Sequence, residues 1–364
     1  MTPEALVIEL DAALTARGDD LAVYLVFDRP RREQERPGLS RLSFAQRCES
    51  DEALETLASA FRDVGAYVEL FEGEQEFVGA LDSGRLRTLG RTLQVVYNGI
   101  GWGVGPDGFM VGRKALVPLL ADSYRLTCVN ADAYACAFTL HKFHSFLVLD
   151  SLGIRVPATW QFRGDYGWVG NRPPNGTRVI AKSNFEAWSV GVTADSVFLV
   201  DERAEGRLRA LEQELGQPVI AQEFIPGVEV CVPILVGPRS EVAPPVKAIL
   251  ERAPNDPEAF MTIDDTVAAA GYTHTIYEAS EALLSELRST TIDVAHKLSL
   301  RGLCRMDFRV DAAGVPWLFD VAIEPGISQR SSAFRSFASF GLAHDEFVRA
   351  VFAASLWDDE RLAL

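Results

Sequence analysis

The sequence predicts a multidomain protein of mixed class: an α/β segment on a parallel sheet, followed by α+β segments with antiparallel strands. Three observations carry this. The chain has 364 residues, and at roughly 100–200 residues per domain that length makes two or three domains. Its first third alternates buried strands with amphipathic helices, as βαβ units do. Its later apolar runs come in pairs separated by short loops or turns, as antiparallel hairpins do.

The elements follow in order. Ala22–Phe27 (AVYLVF) reads as a short buried strand, and Asp51–Val64 as a helix with alanines and leucines on one side. Tyr67–Phe71 is a second strand after the Gly65 stop, and Thr92–Tyr97 a third. Helical signals resume at Ala131–Leu152 and stop at Gly153, with Pro157 beyond. Arg178–Lys182 and Val190–Phe198 read as strands of a hairpin, and Val219–Phe224 and Glu229–Leu235 as two more strands bent at Pro226-Gly227. The polar segment Glu251–Thr275 reads as a mobile loop. Helix Ser280–Leu300 leads into Cys304–Val310 and Pro316–Val321, an antiparallel pair, and a last helix begins near His344.

Composition removes several function classes. With 51 acidic residues against 35 Lys and Arg, the net charge of −16 repels a phosphate backbone, so a nucleic-acid partner is not expected. A chain 48% hydrophobic and 24% charged is ordinary globular material, which excludes wholesale disorder. The N-terminus MTPEALVIELDAALTARGDD lacks the basic start and apolar run of a secretory signal. No stretch of about 18 apolar residues occurs, so no membrane helix is expected. The five cysteines are scattered without CxxC pairs and read as buried free thiols. A cytoplasmic protein is the expectation.

Gly103-Val-Gly105-Pro-Asp-Gly108 matches GxGxxG after a strand, so a nicotinamide oxidoreductase has to be weighed. Pro106 and the four glycines of Gly99–Gly105 describe an extended loop better than a tight strand-to-helix turn. Four other segments together suit ATP. Lys142 begins an apolar helix in HKFHSFLVLDSLGIRVP, and Lys182 ends a strand in VIAKSNFEAWSVGV. Alone, either lysine reads as a solvated surface charge. VIAQEFIPGVEV joins an apolar strand to a bend with a free backbone edge, which an adenine needs, and places Glu229 to accept from ribose hydroxyls. In CRMDFRVDAAGVPWLFDVAIEPGIS, Asp307 and Asp320 lie on paired strands, an arrangement that suits Mg²⁺. Arg305 projects to the face of Asp307, where a guanidinium steadies developing negative charge. The plainer alternative for this segment is a solvated hairpin edge.

In this order, these segments resemble the ATP-grasp superfamily and, within it, the D-alanine–D-alanine ligase family, over nearly the whole chain. VVYNGIGWGVGPDG resembles that family's HG…GEDG stretch, and Lys142 with LGIRVP its DK…GIPVP segment. VIAKSNFEAWSVGV resembles the VKP…GSSVGV phosphate loop, AQEFIPGVEV the EExxxGxE hinge, and RMDF…FDVAIEPGIS the RxDF…xEvNxxPGxS segment. The resemblance implies a three-domain architecture: an N-terminal α/β domain over residues 1–122, a central lid domain over 123–217 and a C-terminal domain over 218–364. It implies ATP and Mg²⁺, with Lys142 and Lys182 on the phosphates, Gln222, Glu223 and Ile225 framing the adenine, Glu229 on the ribose, and Asp307 and Asp320 on the metal. Arg305, Ser189 and Gly326 would form the catalytic set. The implied chemistry is activation of a carboxylate as an acyl phosphate, then amide formation with an amine.

The departures direct the expectation further. The family's metal-binding Glu is Asp320 here, its partner Asn is Ala322, and Glu324 is the candidate replacement ligand. Glu251–Thr275 has no lysine to close over the phosphates, leaving Arg252 as the nearest cation. Trp188 stands where the family has a small Ser, and six arginines between Arg29 and Arg47 replace its N-terminal substrate loop. That basic loop reads either as a solvated loop or as a holder of an anionic substrate group. Trp188 and the arginine loop favour an amino acid or peptide other than alanine as the small-molecule substrate, in specialised metabolite or modified-peptide assembly, whereas Ala322 and the lysine-free loop point to the degenerate alternative. A degenerate nucleotide-binding relative and a D-alanine–D-alanine ligase proper are the alternatives. Relatives often dimerise through the N-terminal domain, so the resemblance allows a homodimer.

Overall fold

The computed structural model describes residues 2–28, 50–100, 112–268 and 270–357. Gly103–Gly108, Arg29–Arg47 and Cys48 lie outside them.

Helix α1 (Pro3–Thr15) is followed by β1 (Leu21–Phe27), α2 (Asp51–Arg62), β2 (Tyr67–Glu72), α3 (Gly73–Asp82), β3 (Leu93–Gly99), α4 (Leu116–Ser123) and β4 (Thr127–Cys128). The four strands form the expected parallel sheet, in the order β2-β1-β3-β4. β1 is buried along its whole length because the sheet is covered on both faces. Leu21, Val23 and Leu25 pack with residues of α1 and α2 on one face. Ala22, Tyr24 and Val26 pack with Phe71, Phe77 and Leu81 on the other.

The helical run Ala131–Leu152 is two helices, α5 (Ala133–Leu140) and α6 (Lys142–Ser151). At His141 the backbone leaves the helical region (φ −83°, ψ 83°). The freed N–H groups of Lys142 and Phe143 donate instead to the backbone carbonyl and side-chain Oδ1 of Asn184, at 3.1 and 3.0 Å.

A second, antiparallel sheet has the order β6-β5-β9-β7-β8. Its elements are β5 (Thr159–Arg163), β6 (Gly167–Val169), β7 (Arg178–Ser183), β8 (Val197–Leu199), α7 (Ala204–Leu215) and β9 (Val219–Glu223). The hairpin of β7 and β8 is present, but the strand expected at Val190–Phe198 is only Val197–Leu199. Trp188, Ser189 and Gly191 adopt left-handed conformations (φ 60°, 57° and 79°), which turn the chain where the apolar residues suggested extension.

The third sheet is antiparallel, in the order β13-β12-β10-β14-β15 with β11 beside β10. It comprises β10 (Val228–Val236), β11 (Glu241–Val242), β12 (Val246–Leu250), α8 (Ile263–Val267), β13 (Tyr272–Ile276), α9 (Glu281–Lys297), β14 (Gly302–Val310) and β15 (Pro316–Ala322), with α10 (Ser332–Ala338) and α11 (His344–Ala354) after it. The bend at Pro226-Gly227 therefore joins two sheets. Gly227 is required there, since a Cβ would sit 2.1 Å from the carbonyl oxygen of Val310. The segment Glu251–Thr275, expected as one loop, contains α8 and most of β13. Arg252 orders it by a two-pronged bond to Asp265 (2.8 and 3.1 Å) and a third bond to the carbonyl of Phe260 (2.8 Å).

Sheet membership departs from the expected divisions at two places. β4 joins the first sheet although it lies beyond residue 122, and β9 joins the second although it lies beyond residue 217. Helix α11 also returns to the first sheet, where Phe352 meets Phe61 with ring centroids 4.5 Å apart. The four described cysteines are free and buried, as expected. No described helix is long and apolar enough to cross a membrane.

Candidate functional site

The second and third sheets face each other across a cleft of about 960 Å³, its open mouth included. Strand alternation decides what enters it. On β7, Val179 and Ala181 pack into the core with α7, so Lys182 and Ile180 face the cleft. On β14, Cys304, Met306 and Phe308 pack into the core with α9, which turns Arg305, Asp307 and Arg309 to the cleft. Lys142, Ser189, Gln222, Glu223, Ile225, Glu229 and Asp320 complete the expected residues that line it.

Asp307 and Asp320 are direct register partners across β14 and β15. Arg305 grips both oxygens of Asp307, each at 2.6 Å, and donates to Ser332 Oγ at 3.1 Å. Lys142 Nζ holds Asp320 Oδ1 at 2.6 Å. Burial raises the Asp307 carboxyl above its ordinary value, even with Arg305 pulling the other way. Burial also acts to raise Asp320, but Lys142, Lys182 and Arg305 outweigh it and bring it down. Lys182 is lowered to about 8 by burial and by the like charge of Lys142. Its ammonium lies 5.3 Å from the ring centre of Phe319 and makes no ion pair among the described residues. Two oxygen-only carboxylates flanked by cations are a donor set for a hard divalent ion with phosphate oxygens completing its shell.

At the opposite end, the Ile225 N–H makes no hydrogen bond among the described residues, while its neighbour Phe224 donates to the carbonyl of Arg178 at 2.9 Å. Phe224 and Phe260 meet edge to face at 5.7 Å. An unpaired backbone donor beside aromatic walls matches the apolar slot with one polar edge that a flat heterocycle needs. Gln222, which also lines the cleft, is 1% exposed and donates to Thr159 Oγ1 at 3.0 Å, a bond that holds its amide in place. Burial raises the Glu229 carboxyl, although Arg309 stands 3.9 Å away.

Three expected residues fall elsewhere. Glu324 does not enter the cleft: its carboxylate takes Asn98 Nδ2 at 2.9 Å and Lys114 Nζ at 3.3 Å, at the end of β3. Among the described residues no group of three or more His, Cys, Asp and Glu is placed to share an ion. Gly326 does not line the cleft either, but it borders open space, with only Ser331 Cβ within 4 Å of where its own Cβ would be. Arg252 braces its loop, which presents Phe260 and Met261 to the cleft in place of a cation.

Arg309 escaped the sequence reading. It is 7% exposed, and its guanidinium donates to the carbonyls of Ile225, Ala259 and Pro257 at 3.0–3.1 Å. It thereby pins the 257–261 loop to the bend between the sheets. The signal was available, because a residue two places after Asp307 shares its face.

Residues 175–353 match the family described as D-ala D-ala ligase C-terminus. A D-alanine–D-alanine ligase from Cupriavidus metallidurans is 29% identical over 50% of this chain and 54% of its own length. One from Neisseria meningitidis serogroup B is 26% identical over 69% of this chain and 76% of its own. The structure of the Bacillus anthracis D-alanine–D-alanine ligase complexed with ATP superposes with a TM-score of 0.64 at 13% identity, covering 93% of this chain and 99% of that one.

Proposed function

We propose that this chain, which belongs to the D-alanine–D-alanine ligase-like family of ATP-grasp proteins, is an ATP-dependent ligase that joins a carboxylate to an amine. The observation that carries this is the convergence of Lys142, Lys182, Arg305, Asp307 and Asp320 in a cleft that also offers the Ile225 N–H beside Phe224 and Phe260. ATP with Mg²⁺ supplies an activated phosphoryl group. A substrate carboxylate oxygen takes that group as ADP leaves, and the amine nitrogen then displaces phosphate to form the amide. The residues position and neutralise, which is most of what phosphoryl transfer asks of a protein. Lys142 and Lys182 bind phosphate oxygens, Glu229 the ribose, and Asp307 and Asp320 the metal. Arg305 faces the charge that develops on the reacting carboxylate, and Ser189 lies on a turn lining the cleft, where its backbone can approach the substrate; Gly326, outside the cleft lining, leaves open space beside the segment after β15.

Three domains divide after β4 and after β9 in this reading, moving the expected boundaries a few residues along the chain. Trp188 in the phosphate loop favours an amino-acid or peptide substrate other than D-alanine, with a place in specialised metabolite or modified-peptide assembly. The test is ADP release across amino acids in the presence of hydroxylamine, which traps an acyl phosphate as a hydroxamate. Hydroxamate formed with a bulkier or anionic acid and not with D-alanine is the expected result. Preference for D-alanine would make the chain a D-alanine–D-alanine ligase proper. Mg·ATP binding without ADP release for any acid would make it a nucleotide-binding relative without turnover.

A further inference from the structure

We propose that Arg113 is a positioning residue for the phosphate-facing loop 183–192, acting through the Glu186 carboxylate and the Phe185 carbonyl. The inference rests on the nucleotide reading of the cleft. The loop holds two consecutive non-glycine residues, Trp188 and Ser189, in the left-handed region. A bulky residue seldom adopts that conformation, and it persists only where the surroundings over-determine it. The loop therefore needs outside support.

That support comes from other parts of the chain. Arg113, 2% exposed, follows β3 of the first sheet and donates through Nη2 to the Phe185 carbonyl at 2.7 Å and to Glu186 Oε2 at 3.1 Å. Gln217, just before β9, closes the other side: its Nε2 donates to Glu186 Oε1 at 2.8 Å, and its Oε1 accepts from the Phe185 N–H at 3.0 Å. Burial pulls the Arg113 pKa down, and the charges of Glu186 and of Asp28 at the end of β1 oppose that pull. The next residue, Lys114, holds Glu324 beyond β15, and Asn98 Nδ2 bonds both the Lys114 carbonyl (3.1 Å) and Glu324. Residues 113–114 thus fasten two walls of the cleft to the carboxyl end of the parallel sheet, the edge where open α/β sheets bind ligands. A buried ion pair contributes little net stability, because desolvation offsets its attraction. What this pair supplies is the geometry of the loop.

The experiment compares Mg·ATP, titrated calorimetrically, with adenosine, followed by ligand-observed NMR, in wild type, Arg113→Met and Glu186→Gln. Both variants are expected to lose Mg·ATP affinity by roughly tenfold to a hundredfold, the scale of a misplaced contact, while adenosine, held at the Ile225 end, changes less than twofold. Parallel loss of both ligands, or Mg·ATP affinity unchanged or tightened in Glu186→Gln, overturns the proposal. Tightening is what a carboxylate that merely repelled phosphate would give. If Arg113→Met does not fold, Glu186→Gln carries the test, since it keeps the volume and an acceptor. Wild type that fails to bind Mg·ATP overturns the nucleotide reading itself, and this inference with it.

Discussion

Lys182 sits between two opposing pH effects. Its pKa is lowered to about 8, because burial and Lys142 disfavour the ammonium. Phosphate needs that ammonium, so Mg·ATP affinity is expected to fall as pH rises through about 8, and binding near that pH to take up a proton. Calorimetry in buffers of different ionisation enthalpy reads the uptake directly, and Lys182→Met should remove both the uptake and the pH step. Folding stability moves the other way. Between about 8 and the ordinary lysine value of 10.5 the unfolded chain binds more protons than the folded one, so this group's contribution to stability rises with pH there. What was legible at this scale follows from strand geometry: Arg305 and Asp307 could be assigned to one face because residues two apart on a strand share it, and Asp320 to the strand paired beside them. Glu324 could not, since beyond Ala322 the chain leaves β15 and alternation no longer says where a side chain points. Arg113 was invisible because its partner Glu186 lies 73 residues away in sequence.

The 251–268 segment shows how an element can escape its own composition. Its polar composition reads as a mobile loop, and α8 spans too few residues for a helical period to declare itself. Those charges instead act inward. Asp265, 5% exposed, accepts from Arg252 and from both the N–H and the hydroxyl of Thr262, and these bonds pull its pKa down against burial. Asp265→Ala should free the segment without unfolding the sheets. Limited proteolysis is then expected to cut between residues 251 and 268 in the variant and not in wild type, with the main thermal transition shifted by only a few degrees. Arg309→Met removes the two bonds from Arg309 to the loop and its one bond to the bend at Ile225, and should weaken adenosine as well as Mg·ATP, by about tenfold, at roughly 1.4 kcal/mol for each factor of ten. Equal titrations in Arg309→Met and wild type would remove the loop from the nucleotide site.

Across the whole molecule, the chain closes on its own beginning. Helix α11 completes the core of the first sheet: Arg349 Nε bonds Asp11 at 2.5 Å, its Nη1 bonds the carbonyl of Ala60 at 3.2 Å, and Phe352 lies fully buried against Phe61 and Tyr97. Phe352→Ala should cost about 3–5 kcal/mol, as aromatic truncations in cores do. Chemical denaturation is expected to show the first-sheet region unfolding earlier in that variant. The parallel first sheet, the β7–β8 hairpin and the β14–β15 pair were readable from local patterns, but β5, β6, β11 and β12 were not expected, and neither was the return of α11, because an amphipathic helix does not name the sheet it covers. Helix α11 packs on the same parallel sheet whose β3 end holds Lys114 and Glu324 through Asn98. The central proposal is that the cleft holds nucleotide phosphates. The measurement that tests it most directly is a calorimetric titration of Mg·ATP into wild type and into Lys182→Ala. Magnesium-dependent binding in the wild type, lost in a Lys182→Ala protein that remains folded, is the predicted result. A folded wild type that takes up no Mg·ATP, or a variant that binds it equally well, would contradict it.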